Sequence, residues 1–143
     1  MGKRRQSREW VLKFLYEFEL NRGNFEKQIS QFMERNQASE DVREFASRLI
    51  HATIEYQKII DQKLKKSCDH WELSRMAVVD RNILRMAACE LLYLSTPASI
   101  VIDEAIEISK KYGGENSSEF VNGILDRLKN EAALDVLPPF SAG

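Results

Sequence analysis

The chain has 143 residues, 43% of them hydrophobic and 30% charged, and its 21 Lys and Arg nearly cancel its 22 Asp and Glu. That length suits one domain burying about two-thirds of its unfolded surface, while a formal net charge of −1 excludes a protein-wide field for nucleic acid and makes any anion site local. No apolar run approaches the roughly 20 residues of a membrane span, and Lys13, Glu17 and Glu19 interrupt the stretch behind the basic start, which is therefore not read as a signal peptide.

Helical periodicity runs through nearly the whole chain, and six Gly and three Pro leave few breaks. The first helix is predicted from about Gln6 to Arg22, with Trp10, Val11, Phe14, Leu15 and Phe18 inward and Gly23 as its stop. Asn24 is placed to cap a short second helix with Phe25, Ile29, Phe32 and Met33 on its inner side. Ser39, followed by Glu40 and Asp41, opens a long third helix whose apolar positions repeat from Val42 to Leu64, with a bend expected near its middle.

CDHWELSR reads as a connector, and AVVDRNILRMAACELLYL as a fourth helix. The latter is apolar nearly all round, which belongs in the middle of a bundle. Arg85 and Glu90 within it each require an intramolecular partner, because an unpaired charge there would be expensive. TPAS breaks the helix at Pro97. A fifth helix carries Val101, Ala105, Ile108 and Tyr112 on one stripe, with Glu107 and Lys111 as an outer i,i+4 pair and two glycines, Gly113 and Gly114, at its end. Asn116 and Glu119 have capping-box spacing for a last helix whose inner stripe is Val121, Ile124, Leu125, Leu128 and Ala132. Gly123 inside it costs about 1 kcal/mol relative to Ala, and close approach of another helix is the expected reason. Pro138 and Pro139 end the pattern and leave 136–143 as a loose tail. No hairpin signal occurs. The fold class is all-α, one domain over 1–135.

The inventory argues against an enzyme. His51 and His70 have no partner at ligand spacing, so a structural or solvent role is expected for both. Cys68 and Cys89 form no CxxC and read as buried free thiols, which fits a reducing cytoplasm. There is no dinucleotide fingerprint, P-loop or nucleophile elbow. Asp103 and Glu104 diverge by about 100° on their helix and are expected in water. No catalytic residue, cofactor or metal is assigned.

The basic start asks for another explanation. Lys3, Arg4, Arg5 and Arg8 oppose the macrodipole of the helix they open, a cost with no folding benefit visible in the sequence. A frayed, solvated terminus is the plain alternative. Tyr16 lies roughly 160° from Phe18 on the helical wheel, close in azimuth to Arg5, and Phe120 stands in the first turn of the last helix. Either ring could roof the edge of the core. Beside guanidinium groups, an exposed ring also suits single-stranded RNA, whose bases stack while cations and helix N-termini take the phosphates.

R-x-x-x-L-x-x-L-Y from Arg8 to Tyr16, DRNILRMAACEL, PASIVIDEAIEISKKYG and SSEFVNGILD occur in one order from Lys3 to about Lys129. Together they resemble the NusB family of bacterial transcription antitermination factors, and FVNGILD after the VIDEAIE helix is the more specific part. The resemblance implies about six to seven helices in two subdomains packed crosswise, an N-terminal part over about 6–67 and a C-terminal part over about 72–135. It implies binding of boxA-containing nascent rRNA together with the small-subunit ribosomal protein that acts as NusE, and indirect work with RNA polymerase, NusA and NusG. By position, Lys3, Arg4, Arg5 and Arg8 match the family's arginine-rich RNA-binding start. Tyr16 and Phe120 match aromatics at the RNA and partner surface, and Asp80 an acidic position facing the ribosomal protein. Asn116 and Ser117 fall in the loop before the last helix, near the RNA path, while Asn122 and Gly123 match structural positions. Gln6 and Ser7 interrupt the arginine run, so weak RNA binding without the partner is expected. Some relatives self-associate through the RNA-binding side, which keeps a homodimer among the options; no membrane is implied.

Two other readings stay open. A NusB-like fold also forms the N-terminal RNA-binding domain of some rRNA cytosine-5 methyltransferases, but here no cofactor-binding α/β domain follows the last helix, so that reading requires a longer gene product. The other is a purely protein-binding helical module with an incidental basic tip.

Overall fold

In the computed structural model the first helix, α1 (Lys3–Leu20), begins ahead of Gln6, where the apolar pattern starts. Its first turn is tied to the body of the protein instead of fraying. Ser7 Oγ donates to the Lys3 carbonyl at 3.0 Å and lies 3.1 Å from the Val42 carbonyl, and Lys3 pairs with Asp41 at 3.2 Å. The structure describes residues 2–68 and 72–135; His70, Trp71 and the 136–143 tail lie outside them.

Two of the expected caps form. Asn24 accepts the Lys27 N–H at 2.9 Å at the start of α2 (Phe25–Arg35), and Ser39 accepts the Val42 N–H at 3.4 Å at the start of α3 (Glu40–Glu55). The long third helix does more than bend. Tyr56 leaves helical geometry at φ −99° and ψ 11°, and α4 (Gln57–Lys66) continues beyond it. The Tyr56 ring stacks on Tyr93 with centroids 4.3 Å apart, a long-range contact that local periodicity does not encode. A 3-10 turn, Leu73–Arg75, leads to α5 (Val78–Tyr93), α6 (Ala98–Tyr112) and α7 (Ser117–Asp135). The described residues contain seven α-helices and no strand.

α5 is the central element, as its apolar circumference demands. Every residue from 82 to 90 is buried, and α1, α3, α4, α6 and α7 all pack on it. Burying Arg85 and Glu90 there is possible because other helices bring counter-charges. Arg8 donates to Glu90, with Nε–Oε1 2.8 Å. Arg85 donates to Asp61 at 2.8 and 3.0 Å and to Glu19 at 2.8 Å. Glu19 also receives Arg81 and the Asn82 amide. α1 and α5 thus run antiparallel with reversed charges at their two ends, Arg8 on Glu90 and Glu19 on the two arginines.

Three local expectations are corrected. Lys111 does not pair with Glu107 but reaches α1, 2.9 Å from Glu9, and Glu107 takes Lys110 at 3.5 Å. Glu104 is not in water, because Arg5 holds it with two bonds of 2.8 Å; Asp103 is exposed. A Cβ on Gly123 would meet no heavy atom within 4 Å, so no helix presses on that glycine.

Candidate nucleic-acid interface

The four basic residues of the first helix have four different surroundings. Arg4 is exposed and lies 3.9 Å from the centroid of the Phe45 ring on α3. Arg5 is half-buried, its side chain 29% exposed, and bidentate on Glu104 of α6. That pair raises the Arg5 pKa above its ordinary value, and the Arg5 hydrogen bond, ahead of the opposing effect of burial, holds the Glu104 carboxyl below the usual range. Lys3 is exposed on Asp41. Arg8 is buried, 5% exposed, with Glu90 on its fork and Glu104 3.7 Å from its remaining amine. The expectation that Arg8 is displayed for RNA is therefore corrected. Meeting a phosphate would require breaking a buried charge pair, which is costly because Glu90 would be left unpaired.

What remains at the surface is an open pocket of about 500 Å³ lined by Gly2, Arg4, Arg5, Arg8, Ile100 and Glu104. Two helices begin here. Neither α1 nor α6 has a side-chain cap or an acidic residue in its first turn, so the positive ends of both dipoles stay uncompensated. Ile100, 48% exposed, supplies an apolar wall beside the cations. Guanidinium edges, free helix N–H groups and a small apolar surface suit a nucleotide backbone. The groove of about 680 Å³ between α1 and α2 offers the opposite charge, with Glu17 and Glu34 against Arg35, and does not suit a polyanion.

Tyr16 lies on the same stripe of α1 as Arg5, about 16 Å further along the axis, and is 41% exposed. Leu20, one turn beyond and 59% exposed, continues that stripe; the wheel position it shares with Tyr16 was the available signal for it. Glu9 accepts from Lys111 at 2.9 Å and from the Tyr112 hydroxyl at 2.7 Å, which brings the end of α6 against the second turn of α1. Burial pushes the Glu9 pKa up, but the two hydrogen bonds outweigh it and hold the carboxyl below its ordinary value. The turn into α7 therefore lies on the same flank as Arg5 and Tyr16. Asn116 is exposed there. Ser117 is buried and its hydroxyl accepts the Gly114 N–H at 2.8 Å, so it shapes the turn and does not face solvent. Phe120 is half-buried and packs against the core, neither engulfed nor free.

Asp80 stands apart from this group. It occupies the first turn of α5, about 15 Å from Glu90 along the helix, at the end where Glu19, Arg81 and Arg85 meet. One carboxylate oxygen, Oδ1, is buried without a hydrogen-bond partner among the described residues. Cys68 and Cys89 are both buried, and burial pushes Cys89 up to about 11 despite a hydrogen bond with Thr53.

Comparison with known proteins decides the family. The NusB family model matches residues 5–130. The chain belongs to the NusB family. It is 44% identical over 140 residues to the transcription antitermination protein NusB of Thermodesulfovibrio yellowstonii, covering 90% of this chain and 93% of that one. It is likewise 44% identical over 130 residues to the NusB of Trichlorobacter lovleyi, covering 90% and 92%. Among solved structures, T. maritima NusB superposes with a TM-score of 0.83 at 41% identity, over 90% of this chain and 91% of that one. A structure of the antitermination factors NusB and NusE in complex with dsRNA gives a TM-score of 0.82 at 26% identity, over 92% and 98%. Within this NusB-family chain, the sequence motifs led to Arg4, Arg5, Tyr16 and Phe120 but missed the counter-charges Glu9 and Glu104; Glu90 was expected to have an intramolecular partner, without Arg8 being identified as that partner. Arg8 and Glu90 are 82 residues apart, and no local pattern links them.

Proposed function

We propose that this NusB-family chain is a non-catalytic transcription antitermination factor of the cytoplasm, binding boxA-type RNA of rRNA operons together with the ribosomal protein that acts as NusE. The observation that carries the RNA part is the pocket at the joined starts of α1 and α6, where neither first turn contains an acid and Arg4 stands beside Gly2 and Ile100, with Arg5 held in place on Glu104 at the wall. The strand would take its phosphates there and run along the stripe toward Tyr16, Asn116 and the edge of Phe120. Lys3 adds charge at the rim. Arg8 and Ser117 act through position: one anchors α1 on α5, and the other shapes the turn before α7. Tyr16 and Asp80 are the residues we assign to the ribosomal-protein side. The NusB–NusE–dsRNA neighbour supports this pairing of partners. RNA polymerase, NusA and NusG enter only through that complex, and self-association through the basic face would hide it.

Phosphate contacts release counterions, so binding to a boxA-type RNA oligonucleotide weakens steeply as salt rises. Arg4→Glu lowers affinity with and without the ribosomal protein, while the circular-dichroism melt stays that of the parent, since Arg4 is exposed and its only described partner is an aromatic ring. Equal RNA retention by parent and variant in a gel shift, across the salt series, would overturn the assignment.

A further inference from the structure

Phe45 collects three guanidinium groups. The carbon centres of Arg4, Arg48 and Arg8 lie 3.9, 5.5 and 5.6 Å from its ring centroid. The Arg8 charge is met by Glu90. Arg4 and Arg48 are different: both are exposed, and among the described residues neither pairs with a carboxylate nor donates a side-chain hydrogen bond. Glu44, one turn before Arg48 on α3, forms no ion pair with it. Two like charges held against one ring repel each other. Arg22 is also exposed and without an acidic partner, but it lies alone over Phe18 at 5.1 Å; among the described residues Phe45 is the ring that brings two such cations together. A ring face orients a guanidinium without consuming its N–H donors, which keeps the planar fork available for an anion.

We propose that Arg48 and Arg4, seated together on Phe45, form a phosphate clamp that takes a backbone phosphodiester of the bound RNA and extends the contact surface from α1 onto α3. This rests on the RNA-binding reading above and adds to it a residue from a different helix. The motifs quoted for the family do not include Arg48, and its relation to Arg4 exists only once α1 lies across α3. The clamp reads charge and spacing, not base identity, so it contributes affinity and salt dependence equally for all sequences.

The test compares Arg48→Gln and Arg48→Lys with the parent in a fluorescence-anisotropy titration of a boxA-type RNA oligonucleotide, with the ribosomal protein present, at several salt concentrations. Arg48→Gln is expected to weaken binding several-fold at low salt and to reduce the slope of log affinity against log salt by about 0.7, the share of one phosphate on a single strand. Arg48→Lys keeps the charge and restores most of the slope. Arg35→Gln is the control, because that arginine is on the acid-lined groove and paired with Glu17. A merely structural role for Arg48 on Phe45 would shift the melting temperature and leave the salt slope unchanged, which overturns the clamp. If Arg48→Gln binds like the parent while Arg4→Glu does not, the clamp is wrong and the RNA reading stands. If the parent itself shows no salt-dependent RNA binding, the RNA reading fails, and the clamp with it.

Discussion

Arg4 and Arg8 are one turn apart on α1, yet one guanidinium lies exposed over Phe45 and the other is buried on Glu90. The difference follows from which neighbouring helix each faces. Removing one member of a buried, bidentate pair leaves the other charge without water or partner, at a cost of about 3–5 kcal/mol. Arg8→Ala and Glu90→Ala should each lower the unfolding free energy from urea titration by that order, whereas the double change Arg8→Met with Glu90→Leu should recover much of it, as a hydrophobic pair of similar volume needs no desolvation. At this scale the sequence was readable where residues are apolar: the inner positions named for each helix are largely those the structure buries. Arg8 was misjudged because its surroundings depend on a residue 82 positions away. Gly123 was misjudged for a related reason. Its expected close neighbour is missing, so its place in mid-helix has no packing explanation in the structure.

Helices are legible from periodicity, but their joints and mutual register are not. The α3–α4 break at Tyr56 has no Gly or Pro to announce it; it coincides with a ring stack onto Tyr93. The caps at Asn24 and Ser39 were legible because a cap is a local affair, complete within three residues. Register depends on ion pairs between elements: Arg5–Glu104 and Glu9–Lys111 join α1 to α6, and Glu19 with Arg81 and Arg85 joins α1 to α5. Burial alone would raise Glu19, and its arginine and asparagine partners outweigh it, so Glu9, Glu19 and Glu104 all have folded pKa values below the ordinary 4.5. Carboxylates with depressed folded values contribute stability that is complete above the unfolded value and disappears as pH falls through the folded one. Urea midpoints should therefore hold steady from neutral pH down to near 4.5 and decline below it. Glu104→Gln should flatten that decline, and an unchanged profile would detach the Arg5–Glu104 pair from stability.

Taken whole, the molecule sets Asp80, proposed for the partner, apart from the cationic end proposed for RNA, while Tyr16 belongs to both proposed surfaces. The cationic end, with Arg4, Arg5 and Ile100, and the acidic Asp80 lie toward opposite ends of the central helix α5. Substitutions that share no neighbours add. Asp80→Lys should weaken capture of the ribosomal protein without altering RNA affinity of the isolated chain, and combined with Arg4→Glu its effect on the ternary complex should equal the sum of the two, as read by titration of each partner separately. The all-α class was legible from helical periodicity and the lack of a hairpin signal, and the family from the motifs and their order. The siting of positive charge was only half legible, because composition reports a sum near zero and the helix crossings decide which cations remain unneutralised.

The reversed ion pairs between α1 and α5 also bear on how the chain is made. A ribosome delivers Arg8 and Glu19 early and Arg81, Arg85 and Glu90 more than sixty residues later, a gap of several seconds at about 5–20 residues per second. Through that interval the leading segment keeps Arg5, Arg8 and Glu19 without their counter-charges, while Lys3 and Glu17 already have Asp41 and Arg35 within reach. Its arginines leave the exit tunnel while still unclaimed, surrounded by the phosphates of ribosomal RNA.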